Sequence, residues 1–170
     1  MKKCIAATAA MLLVGCATTA PTTAEYDRDA ESSFRAKLDQ MFRDLSAMKF
    51  DCMRIPADVP EAVVFDFDEQ NKPMSAYSPA EWNKIVDGYI AAAAQQGMKM
   101  ETKVGRVEVH ATSSFGFATA EFDQTFTMGD QKMGPLKFRG TMVAKRRGNE
   151  WVWVHWHGSF REFPTMPEAK

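Results

Sequence analysis

The chain has 170 residues, 45% of them hydrophobic and 25% charged, with a formal net charge of −1. That is enough chain for one domain with a sizeable core. It carries none of the basic excess that holds a polyphosphate backbone, so nucleic acid is not an expected partner.

The chain opens MKKCIAATAAMLLVGCATTA. Lys2 and Lys3 precede an apolar run from Ile5 to Val14, too short to span a bilayer as a mature helix. The run ends in Leu13-Val14-Gly15-Cys16, which resembles a bacterial lipobox. A small residue before the cleavage point admits the peptidase, and the Cys16 thiol can then carry diacylglycerol. A further acyl chain on its α-amine gives a stable anchor, since one chain alone holds only marginally. Residues 1–15 are therefore expected to be a lipoprotein signal peptide, and Cys16 the lipidation site. Ala17 rather than Asp follows the cysteine, which by Gram-negative sorting rules implies the periplasmic face of the outer membrane. Cleavage takes Lys+Arg from 21 to 19 against 22 acids, a net charge of −3.

Cys4 leaves with the leader and Cys16 takes the lipid. Cys52 is then alone, with no partner for an intramolecular disulfide, and reads as a small buried hydrophobe. Residues 16–25, rich in Ala and Thr, are expected to form a flexible tether. The domain proper is assigned to residues 26–162, and residues 163–170 to a C-terminal tail.

From about Asp27 to Met48, the positions Phe34, Leu38, Met41, Phe42, Leu45 and Met48 recur at helical spacing, which predicts an amphipathic helix laid on a core. The prolines of RIPADVPEA end it. Residues 62–68, AVVFDFD, read as a short strand, and EQNKP as a turn. A second helix is predicted to start at Ser78, with Pro79 at the first helical position and Glu81 completing a capping box. Trp82, Ile85, Val86, Tyr89, Ile90 and Ala93 form its apolar stripe, and Gly97 can close it in the left-handed conformation.

From Lys99 the pattern alternates. KMETKVGRVEVHA, FGFATAEFDQTFTM, LKFRGTMVAKR and EWVWVHWHGSF are four strand candidates, joined by TSS, GDQKMGP and RGN. Helices followed by an antiparallel meander define an α+β domain, with the helices on one face of a curved sheet. Alternation in the last strand sets Trp151, Trp153, His155, His157 and Ser159 on one face and Val152, Val154, Trp156 and Phe160 on the other. Both faces are largely apolar, so the sheet is expected to need two covers, the helices and a second subunit.

The segment GTMVAKRRGNEWVWVHWHGS resembles the last hairpin of the SnoaL-like group in the nuclear-transport-factor-2-like superfamily. It also resembles the association (hub) domain of calcium/calmodulin-dependent protein kinase II. The shared residues are Arg139, Thr141 and Val143 on the penultimate strand, the turn Lys145-Arg146-Arg147, and Trp151, Val154, His155, His157 and Ser159 on the last. The order of elements agrees from about Ala24 to Phe160. The resemblance implies a cystatin-like cone, with helices wrapped by a strongly bent sheet and a pocket at the open end. It also implies homodimers or larger rings formed through the sheet. Arg139, Thr141, Trp153, His155 and His157 are then the candidate pocket residues for a small molecule. A guanidinium beside two imidazoles suits a small carboxylate. The stretch MKFDCMRIPADVPEAVVFDFD shows no counterpart of the acid–base pair carried by enzymatic members of the group, which points to a non-catalytic binding or assembly module.

The alternative is an isomerase, cyclase or dehydratase using His155 or His157 as general base. His155 reads equally as a core histidine bonded to a carbonyl. His-x-His puts two imidazoles on one side, but no third metal ligand is evident, so neither a metal nor a cofactor is expected. Ser159 lacks the strained nucleophile turn of a hydrolase, and no Gly-rich phosphate loop is present.

Overall fold

The computed structural model describes residues 26–66 and 75–162. The lipobox, the tether, the EQNKP turn and the C-terminal tail lie outside the described residues. Helix α1 spans Arg28–Ser46. It starts where Asp27 accepts from the amides of Asp29 and Ala30, at 2.9 and 3.1 Å, which satisfies two of the four donors a helix leaves open at its N-terminus. A 3₁₀ turn follows at Phe50–Met53. Helix α2, Pro79–Gln96, begins at Ser78 with the full capping box and ends at Gly97 with φ 57°.

Six strands form one sheet: β1 Val63–Asp66, β2 Ser75–Tyr77, β3 Lys99–Ala111, β4 Phe115–Met128, β5 Gln131–Arg147 and β6 Glu150–Phe160. The predicted meander is its β3–β6 half. The spatial order is β2-β1-β6-β5-β4-β3, because β1 returns to pair in parallel with β6, Val64 opposite Trp156. The sequence reading held no strand at Ser75–Tyr77, which is only three residues long. The predicted link GDQKMGP is mostly strand as well. The turn is confined to Gly129-Asp130, and Gly134-Pro135 sit where the register with β4 shifts. Gly134 has φ 110°, and a Cβ there would meet the Gln124 carbonyl oxygen at 2.6 Å.

The core lies between α1, α2 and one face of the sheet. Phe34, Leu38, Met41, Trp82 and Met142 are each at most 1% exposed. Each such buried side chain contributes about 1.5–3 kcal/mol. Helix α1 sits close because β4 turns small residues toward it: Gly116, Ala118 and Ala120 are all buried. A Cβ at Gly116 would stand 2.5 Å from the Phe34 ring. The indoles on this face are fixed at both ends. Trp151 and Trp153 pack on Phe34, with ring centroids 5.1 and 6.0 Å apart. Their N–H groups donate to Ser33 Oγ and to the Cys52 carbonyl, at 3.0 and 3.1 Å, so burial leaves neither indole donor unpaired.

Candidate functional site

The last strand does not alternate throughout. Val143 pairs with His155, but the next residue, Ala144, pairs with Trp153. Val154 is the extra residue of a β-bulge, and a bulge reverses the side-chain parity beyond it. Trp151 and Trp153 therefore face the helices, and so do Trp156 and Gly158, all buried. His155, His157 and Ser159 face the opposite side. This corrects the two faces expected from alternation. Trp153 is separated from the histidines, and the imidazoles lie on the sheet face away from the helices.

On that outer face the hairpin registers bring Arg139, Thr141 and His157 together. Thr141 lies opposite His157 and Arg139 opposite Ser159. Across β4, Thr119 is opposite Thr141 and Glu121 opposite Arg139, and Glu108 of β3 is opposite Thr119. These side chains line a groove of about 230 Å³, with Arg106 at its rim. The long antiparallel pairing is what collects them. Four neighbouring strands contribute residues as distant in the chain as Arg106 and Ser159, a relation invisible to local periodicity. Arg106, Glu108, Thr119 and Glu121 were not singled out in the sequence. Docking β4 against β5 by their alternation would have placed Glu121 near Arg139.

The charges of the groove divide into pairs and a remainder. Arg106 bonds Glu108. Arg161 bonds Glu121 and Asp123 at 2.9 and 2.8 Å. Arg139 meets no carboxylate among the described residues. Its Nε donates to Ser159 Oγ at 3.0 Å.

The two histidines differ. His155 Nδ1 lies 3.0 Å from the Val63 carbonyl oxygen. A carbonyl only accepts, so Nδ1 carries the proton and donates. The ring also meets Phe65 edge-on, with centroids 5.7 Å apart. His155 thus serves the β1–β6 junction and lies outside the groove. His157 lines the groove, and its Nε2 is inaccessible to solvent and has no hydrogen-bond partner. Burial, and then the charges of His155 and Arg139, hold its pKa below the usual imidazole range. No third ligand joins the pair among the described residues. The third histidine, His110, stands apart, stacked on Tyr26 at 4.9 Å and 3.7 Å from Glu31.

A curved, unclosed six-stranded sheet with two helices defines the nuclear-transport-factor-2-like, cystatin-like class of α+β fold. An NTF2-like protein of Pseudomonas putida KT2440 superposes with a TM-score of 0.60 at 16% identity, covering 82% of this chain and 100% of that one. A candidate dehydratase of the NTF2-like family from Streptomyces avermitilis gives 0.60 at 12%, covering 78% and 96%. The calcium/calmodulin-dependent protein kinase II hub of S. rosetta gives 0.54 at 15%, covering 76% and 95%. Within this class the family is specific: residues 36–162 match the model of the SnoaL-like domain, and the chain belongs to that family. No curated protein matches it.

Proposed function

We propose that the protein is a lipid-anchored, non-catalytic module of the cell envelope that forms homodimers through the outer face of its sheet. The observation that carries this reading is the apolar row on that face. Phe115 is 51% exposed, Phe117 43% and Val63 37%, and Phe117, Val143, His155 and Val63 lie side by side across four strands. An exposed apolar row on the open side of a sheet is a typical seat for a partner. The hub neighbour among solved structures supports self-association. The non-catalytic reading is supported by the histidines. One is tied to a backbone carbonyl and the other has an unpartnered Nε2, and among the described residues neither meets the orienting carboxylate that a general base of this type uses.

Anchoring is proposed from Cys16, with the periplasmic face of the outer membrane as the destination in a Gram-negative host. Mass spectrometry of the mature N-terminus would find diacylglycerol on Cys16, and Cys16→Ser would leave the membrane fraction. Assembly is tested independently by sedimentation and native mass spectrometry. Phe117→Asp is expected to yield monomer with an unchanged circular dichroism spectrum. A variant that remains dimeric overturns the proposed interface.

A further inference from the structure

The outer face carries a second feature beside that apolar row. Two of the carboxylates in and beside the groove, Glu108 and Glu121, are matched by Arg106 and Arg161. Among the described residues, Arg139 is left as a cation whose only bond is to a neutral hydroxyl. With its Nε engaged by Ser159, its two Nη groups form a fork, the geometry that grips a carboxylate through two parallel N–H···O bonds. Beside it, the Thr141 hydroxyl makes no hydrogen bond with any described residue, and the His157 ring forms part of the groove wall.

We propose that this groove binds a small monocarboxylate, its charge held by Arg139 and its orientation set by Thr141, with the His157 ring as part of the wall. The volume of about 230 Å³ falls below the ~300–1,000 Å³ of pockets for drug-sized ligands, which limits the occupant to a short chain. The class of anion follows from the rim. Arg106 and Arg161 are already engaged by Glu108 and Glu121, so a phosphate dianion or a dicarboxylate would bring a second charge with no cation to meet it, whereas a single carboxylate needs only the one guanidinium. Burial and the neighbouring His155 and Arg139 lower the pKa of His157, so it adds no second positive charge to the groove. The groove borders the proposed dimer surface, with Thr141 and His157 two residues from Val143 and His155 and Arg139 at the far end. Arg139 lies four residues along β5 from Val143, roughly 13 Å at the rise of a strand.

Isothermal titration of the full lipidated protein in detergent, with propionate as probe, tests the site. Propionate is expected to bind once per chain, with propionamide and inorganic phosphate at least tenfold weaker. Arg139→Gln should lower propionate affinity at least tenfold, and Thr141→Val, isosteric and suited to a strand, several-fold. Glu108→Gln should admit phosphate more readily. Equal binding of propionate and propionamide, or unchanged affinity in folded Arg139→Gln and Thr141→Val proteins, overturns the proposal. The titration is repeated on Phe117→Asp. Retained binding there separates this site from the assembly reading, and binding that disappears with the dimer shows that the groove is not a site of the single chain.

Discussion

His157 sits where a charge is unwelcome. Arg139 and Thr141 face it from β5, Phe65 from β1, and His155 and Ser159 flank it on its own strand. Burial first, then the neighbouring His155 and Arg139, lower its pKa from 6.5. In the unfolded chain the imidazole titrates at its ordinary value. As pH falls below about 6.5, the unfolded state therefore binds more protons than the folded one, and stability decreases. The contribution is complete above that pH and is lost on the way down to the folded pKa. Urea midpoints measured from pH 7.5 to 5.5 should fall less steeply in His157→Gln than in the parent. Parallel slopes would mean that other groups carry the acid sensitivity. The sequence made Arg139, Thr141 and His157 candidates, and the fold does set them side by side. It could not show that Trp153 belongs elsewhere, because one bulged residue, Val154, inverts the faces and leaves no mark in composition.

Among the elements, those written in local chemistry were legible. The start of α2 rests on three residues. The Glu81 carboxylate accepts from the Ser78 amide and hydroxyl at 2.9 and 2.6 Å, and the Glu81 amide donates back to Ser78 Oγ at 3.4 Å. These bonds hold the Glu81 carboxyl below its usual range. Ser78→Ala removes both hydroxyl contacts and should cost about 1 kcal/mol. A lower urea midpoint, with faster amide exchange confined to the first turn of α2, would show it. Exchange unchanged there would place the stability of that end in Trp82, whose indole N–H donates to the Met53 carbonyl at 2.8 Å. Elements defined by distant partners were less legible. Strand β1 is recognisable from its apolar run, but its parallel seat beside β6 depends on a chain return that no local pattern encodes. The first residues of β5 read as a loop because Gly134 and Pro135 are loop residues by habit, and only the register shift against β4 makes them strand residues here.

At the scale of the whole molecule, the space between α1 and the sheet is a packed layer, because Phe34 of α1 meets Trp151 and Trp153 of β6, whose indole donors are both satisfied. Cys52 reports on that layer. Its thiol lies against α1, 3.8 Å from the Met41 carbonyl, while its own carbonyl accepts from Trp153. Burial, reinforced by the charge of Asp44, pushes the thiol up to about 12. The thiolate is the reactive form, so a maleimide at pH 8 meets almost none of it in the folded state. Cys52 is half-buried, so its low reactivity rests on the raised pKa as well as on access, and full exposure of the sulfur requires α1 and the 3₁₀ turn to part from the sheet. Labelling is therefore expected to be negligible in native protein and to rise with urea along the same curve as the loss of tryptophan fluorescence. The acylated Cys16 of the proposed mature form offers no competing thiol. If Cys52 reacts at the rate of a free thiol without denaturant, the layer between helices and sheet opens on its own, and the interior regains the access that a ligand-holding cone requires.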